Sequence, residues 1–507
     1  MTDQVLEVEE LSKLGKFDRV LDRSTDWANA ILVKEVRQAL RGRFFRIAFS
    51  LVLLALCMAT TAYIMDASVL GGNRQGRDLF NGIYGWLGAA LFGLVPFGTF
   101  ASMGNEWDEN TFDLLVLSNL KPWQIIWGKL LSAGVQSLLY LATFTPFLAC
   151  AFLMQGVDLF ALCLVLVTSF LWSLALSVLA LALSTLSKTR FSRIFMMAVL
   201  AGALSVSYGI AMSASIEMVR RPDSLGGNEF WMVVAAFASG ILYVAAFLFC
   251  LASNSLAHPE ENRSTNLRVV CSLGLLFGMS WLAYMLQLHP DADALSMGCI
   301  FLLMVGLVIP SLLFISEPNP MGRRVAFRVP QGAVGSLLSV PWLPGGGRGV
   351  LFFLLHAAGL VLYYLVLGLL FLNPVRGEIM DNGAFAFLGI VLYLTGYMLI
   401  PAGLLSATLH RMPMRIMARL GAPLLMGFLF FLPAIVSFLF GGGRHISMRH
   451  VGNPASFIEE QWNGMQSGGW WLALGLFAGL ALLLNLPRAI QGYLEVGRVR
   501  AARIEHK

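Results

Sequence analysis

From Ile47 onward, long apolar runs alternate with short polar ones. A helix crossing the hydrocarbon core needs about 20 apolar residues, and twelve runs reach or approach that length. Six lie in the first half: Ile47–Met65, Gly82–Met103, Leu130–Met154, Leu159–Leu186, Ile194–Ile216 and Phe230–Leu256. Six lie in the second: Val269–Leu288, Ala294–Ser316, Val350–Leu372, Ala384–Leu409, Leu420–Phe440 and Gly468–Leu486. No Asp, Glu, Lys or Arg falls inside these windows. The runs are too long and unbroken for the alternating ten-residue strands of an outer-membrane barrel. In lipid the backbone must satisfy its own hydrogen bonds, so they are helices. The expectation is an all-α polytopic integral membrane protein with about 12 transmembrane helices arranged as 6+6. Pro96, Pro146, Pro310, Pro401 and Pro433 fall within spans, where neighbouring helices can cover a freed carbonyl.

Ahead of the first span the period changes. From Asp26, Leu32, Val36, Leu40 and Phe44 recur every four residues, with Lys34, Arg37, Gln38 and Arg41 between them. This predicts a basic amphipathic helix lying flat in the membrane interface, cations toward lipid phosphates. The expected organisation is a tail, 1–25; a six-span unit, 26–256; a linker, 257–268; and a second six-span unit, 269–507.

Composition agrees with the pattern. Across 507 residues, 57% are hydrophobic and 13% charged, with mean hydropathy +0.73. A soluble chain carries about 25% charged residues, so a large soluble enzyme is excluded. The net charge is +6. With the odd-numbered spans running outward, all but seven of the 35 Lys and Arg lie on one side. The seven are Arg74, Arg77, Arg220, Arg221, Arg376, Arg444 and Arg449. Positive loops stay in the cytoplasm, so both termini are placed there and the charge needs no nucleic-acid partner. The six cysteines all fall in spans and read as small buried apolar residues.

Two loops on the basic side stand apart. Segment 104–124 holds Glu106, Asp108, Glu109 and Asp113, followed by Phe112, Leu114, Leu115 and Leu117 around a cappable Asn110-Thr111. A short acidic helix with an apolar face outside the bilayer suits docking into a protein groove; a solvated loop fits the charge pattern equally. The second loop, Glu317–Gly349, contains Arg323, Arg324, Arg328 and the run Pro341-Trp342-Leu343-Pro344-Gly345-Gly346-Gly347-Arg348-Gly349. No strand precedes these glycines and no Lys-Ser/Thr follows, so they predict a structured re-entry turn rather than a phosphate loop. The acidic loop after span two has no evident counterpart after span eight.

The spans carry no carboxylate for proton or sodium coupling. Their one ionisable group of the His, Asp, Glu, Lys and Arg set is His356, read as a hydrogen-bonded packing residue. No GxxxxGK[ST] occurs. The N-terminal polar stretch is shorter than the roughly 50–250 residues of a domain, so ATP hydrolysis would need another chain.

The run Trp27-Ala28-Asn29-Ala30-Ile31-Leu32-Val33-Lys34-Glu35-Val36-Arg37-Gln38-Ala39-Leu40-Arg41 resembles the opening helix of bacterial ABC transporter permeases of the type-2 exporter family. Glu109-Asn110-Thr111-Phe112-Asp113-Leu114-Leu115, followed by Leu120-Lys121-Pro122-Trp123 and Gly128-Lys129, is similar to that family's loop after span two. The resemblance covers about residues 27–256. It implies a non-enzymatic permease subunit of the bacterial inner membrane, without a cofactor of its own, driven by a separate ABC ATPase, a dimer carrying ATP-Mg. By the match, Glu106, Glu109, Thr111, Phe112, Leu114 and Leu115 form the ATPase-coupling segment, and Lys34, Glu35, Arg37 and Arg41 belong to the elbow helix. Membrane lipid and a homodimer mate or other permease subunit are the remaining expected partners. An ion-coupled secondary transporter and a non-transporting assembly protein are the alternatives. Gly475-x-x-x-Gly479, Ala198-x-x-x-Gly202 and Ala89-x-x-x-Gly93 are expected at close helix contacts. Gln136 and Tyr140 are expected to line an apolar cargo cavity.

Overall fold

The computed structural model describes residues 30–70, 75–108, 121–154, 157–187, 189–258, 261–288, 293–318, 321–327, 329–330, 332–371, 377–406, 411–440, 457 and 468–505. Among these the protein is helical throughout, without strands. Eleven helices are long and apolar enough to cross a membrane. Large side chains such as Leu153, Ile194, Leu242, Leu302, Leu472 and Leu476 are exposed on their outer faces, far more apolar surface than water tolerates. The architecture is that of an all-α polytopic membrane protein.

The chain folds as two compact units that divide between Ala257 and His258. The first begins with α1, Ala30–Arg41, and has six long helices. These are α2 (Arg43–Leu70); α3 (Gln75–Ala89, continued by Val95–Asp108); α4 (Pro122–Leu153); α5 (Leu159–Leu186); α6 (Arg190–Arg220); and α7 (Asn228–Leu256). The second unit also has six. They are α8 (Thr265–Leu288), α9 (Asp293–Ile315), α12 (Gly346–Phe371), α13 (Gly377–Leu404), α14 (Met412–Phe440) and α15 (Gly468–Glu505). Two short helices, α10 (Arg323–Ala326) and α11 (Ala333–Ser339), lie between α9 and α12. The described apolar stretch of α14, Ile416–Leu429, is too short to count among the eleven.

In the first unit α5 is central, packed against α3, α4, α6 and α7. Its seam is small and polar: Ser169, Ser173, Ser177 and Ser184 are all buried. Small residues let helices approach closely, and each hydroxyl finds a partner. Ser169 meets the Tyr84 hydroxyl at 2.7 Å, Ser173 donates to Leu91 O at 2.7 Å, and Ser184 donates to Phe100 O at 2.9 Å.

Leu91 lies in a π-helical turn, Ala90–Leu94, inside α3. Pro96 supplies the cause. Its ring cannot pack behind the carbonyl of Phe92 in a regular helix and it has no N–H to offer. Widening the turn relieves the clash: Val95 N–H bonds Ala90 O, and Ser173 covers the neighbouring carbonyl. Pro146, Pro310 and Pro401 are instead carried inside continuous helices.

The glycine expectations need correction. Gly93, Gly202, Gly475 and Gly479 have open space where a Cβ would stand. The close approaches lie elsewhere, as at Gly396 against Phe477 and Gly403 against Asn485 and Leu484. A spacing motif finds small residues but does not say which face of the helix meets a neighbour. Cys57, Cys150 and Cys163 likewise face outward, and only Cys271 is buried. Tyr140 is buried against Phe45 and Phe49, so it packs the core and lines no open path.

Candidate functional site

The charged residues trimmed from the ends of the apolar windows are those the tertiary structure buries. Lys129 stands one residue before Leu130, Arg268 one before Val269, Arg348 two before Val350, and Arg488 two after Leu486. In each case the helix runs over the cation: α4 starts at Pro122, α8 at Thr265, α12 at Gly346, and α15 continues to Glu505.

Lys129 lies about two turns into α4, with 2% of its surface exposed. Pro122 opens that helix, where its missing N–H costs nothing, and Gln124 Oε1 accepts the Lys121 N–H at 2.9 Å. The ammonium has three hydrogens and three acceptors. It donates to Glu35 Oε1 at 2.9 Å and Ser102 Oγ at 2.8 Å, and pairs with Glu106 Oε1 at 3.1 Å. Ser102 in turn donates to Glu35 Oε2 at 3.2 Å. Lys34, half exposed, lies 3.7 Å from Glu106 and balances the second carboxylate. Apolar Met103, Ile125, Ile126 and Leu130 gather at the same helix ends. One cation therefore ties together α1, the end of α3 and the head of α4. Arg193 of α6 adds a fourth strand to this knot by pairing with Asp108.

Of the expected elbow residues, Lys34 and Glu35 join this cluster, with Glu35 turned inward rather than toward lipid. Arg37 is exposed, and the side chain of Arg41 lies outside the described residues. Of the expected coupling residues, Glu106 belongs to the last turn of α3 and is buried on Lys129. Glu109, Thr111, Phe112, Leu114 and Leu115 lie outside the described residues. That segment, 109–120, is bounded by Asp108, which ends α3 and pairs with Arg193, and by Lys121, which precedes α4.

The second unit carries a richer version. Arg268 is fully buried and uses all five guanidinium hydrogens. Nε donates to Ser264 Oγ at 2.9 Å; Nη1 to Pro341 O at 2.8 Å and Leu343 O at 2.6 Å; Nη2 to Glu317 Oε2 at 2.8 Å and Gly345 O at 3.1 Å. Arg348, also fully buried, holds Pro344 O, Gly492 O and, at 3.0 Å, Glu495 Oε2. Arg488 donates to Ala402 O at 3.2 Å and Ile315 O at 3.0 Å. The Pro-Gly run is thus a structured turn with its carbonyls clasped by arginines. The glycines are needed for backbone approach: a Cβ at Gly347 would strike the Arg488 backbone, and one at Gly349 the carbonyl of Phe314. Gly345 adopts φ 135°, a conformation that favours glycine.

His356 bonds Ser272 Oγ through Nε2 and Phe352 O through Nδ1, both at 2.8 Å, and its ring packs on Phe352 and Trp342. Among the described residues no cluster of His, Cys, Asp or Glu has the makings of a metal site. The buried cations hold helix ends together. Sequence reading missed Lys129, Arg268, Arg348 and Arg488 as site residues. Their signal was available in retrospect, as single cations abutting charge-free spans. Comparison with family models, curated proteins and solved structures finds no match to this chain.

Proposed function

We propose that the chain is the transmembrane permease subunit of an ATP-driven transporter of the export type, worked by a separate ABC ATPase that grips segment 109–120. The reading takes α14 as a twelfth span and gives a 6+6 arrangement in a bacterial inner membrane, with both termini in the cytoplasm and α1 flat in the interface. The sequence resemblance over residues 27–256 supports it. So does the carrying observation: Lys129 fastens α1, the end of α3 and the head of α4 into one block that brackets the segment. A push on a loop moves spans only if the loop hangs from something stiff. A block held by a buried lysine shared between two carboxylates resists local bending, so motion of the partner would pass to α3 and α4 as a rigid shift. Closure of two ATPase subunits on ATP would then open a path outward.

Co-expression with a partner ATPase tests the reading. Glu109→Arg and Leu114→Asp are expected to abolish copurification of the ATPase while leaving the permease's thermal melting unchanged. Full copurification and ATPase stimulation in both variants would refute the docking assignment. Solute movement by the purified chain alone, down an imposed ion gradient, would refute the ATP-driven reading.

A further inference from the structure

The two units share a set of helix pairings. Number the long helices of each unit from first to sixth: α2 to α7 in one, and α8, α9, α12, α13, α14 and α15 in the other. In both units the first packs on the second, the second on the third and fourth, the third on the fourth and sixth, and the fourth on the fifth and sixth. Consecutive helices pair readily in any bundle. The informative pairs are second with fourth, third with sixth and fourth with sixth, which chain order does not dictate. Among the described residues the consecutive fifth and sixth helices are a principal pair in neither unit. The second and fifth are a principal pair only in the first unit, and the first and third only in the second.

The repeat extends to residues. Pro122-Trp123 precedes Gly128-Lys129 at the head of the third helix, and Pro341-Trp342 precedes Gly347-Arg348 at the same spacing. Lys129 and Arg348 are both buried and both paired with carboxylates. A buried acid ends the second helix of the first unit, Glu106, and Glu317 follows the second helix of the other. An arginine near the head of the fifth helix reaches back to that same end in each unit: Arg193 to Asp108, and Arg419 to Ser316 at 2.8 Å. Glu317 matches Glu106 in chain position, but it pairs with Arg268 of the first helix, whereas Arg348 pairs with Glu495 of the sixth.

We infer that residues 258–507 are a second copy of the module formed by residues 30–257, with Arg348 in the place of Lys129, so that one chain supplies both halves of a two-half permease. The duplication stands on these repeated features; the word permease rests on the proposed function. In such a chain Arg348 is a positioning residue for the second half, as Lys129 is for the first.

Native mass spectrometry of the full chain with its ATPase tests the inference. One chain with two ATPase subunits is expected. Two chains per particle, or one ATPase per chain, would overturn it. If no ATPase copurifies, the proposed function fails, and the mass of the purified chain still decides the inference: one chain upholds it, a homodimer removes it. A second measurement reads the equivalence directly. Lys129→Met and Arg348→Met should each lose at least tenfold in ATPase stimulation, and Lys129→Arg and Arg348→Lys should each retain most of it. Wild-type stimulation and melting in Arg348→Met would break the equivalence.

Discussion

Lys129 Nζ lies 2.9 Å from Glu35 Oε1, joining residues separated in the chain by the whole of α2 and α3. The contact closes the first unit at the end where α3 stops. Replacing Lys129 with Met would leave two carboxylates facing each other without their shared cation. Stranding a buried charge costs about 3–5 kcal/mol. The Lys129→Met variant should therefore melt well below the wild type in detergent, and Lys129→Met/Glu35→Gln should recover part of the loss. Equal melting of the single and double variants would show that the pair is uncoupled.

Arg268 offers a separate test in the second unit. Lysine keeps the charge but has three donors on one nitrogen and cannot serve five acceptors spread around a planar fork. Arg268→Lys is expected to destabilise measurably. Arg268→Met should do so more, because it strands Glu317 and frees the carbonyls of Pro341, Leu343 and Gly345. Trypsin cleavage at Arg323 or Arg324 should rise in both, followed by mass spectrometry of the fragments. An unchanged cleavage pattern would contradict the role given to Arg268.

Two glycine-to-alanine changes should part company. At Gly347 the added methyl meets the backbone of Arg488, which cannot swing aside as a side chain can. Overpacking of this kind costs about 1–3 kcal/mol or more. At Gly475 the methyl enters open space, and alanine is the better helix former by about 1 kcal/mol. Gly347→Ala should lower the melting temperature, whereas Gly475→Ala should hold or raise it.

Ser173→Ala removes the hydroxyl that serves Leu91 O in the π turn and the Ser137 hydroxyl at 3.0 Å. A net loss of about 1 kcal/mol is expected. Pro96→Ala removes the reason for the wide turn, so in that background the same serine change should matter less. A double-mutant cycle on thermal unfolding measures the difference, and strict additivity would argue that Pro96 does not cause the turn.

The helices were legible in the residues because lipid imposes a strong rule. A crossing segment must be long, apolar and internally hydrogen-bonded, and each of these properties is local. The apolar runs, the basic helix ahead of the first one and the turn character of Pro341–Gly349 all follow from neighbouring residues. Where the rule failed, it failed at the ends. A window that excludes charge stops short of Lys129, Arg268, Arg348 and Arg488, although a helix carries such a residue when partners wait for it.

Those partners were not legible. Glu35 and Lys129 lie far apart in the chain, and nothing in either neighbourhood marks them as a pair. The outward faces of Gly475 and Cys57, and the shared packing scheme of the two halves, depend in the same way on which helix lies beside which. Hydropathy along one dimension determined that this chain crosses a membrane many times and roughly where. Only the tertiary structure decided which charges are buried, which glycines are crowded and which helix pairings the two halves share, because each is a relation between segments that chain order leaves free.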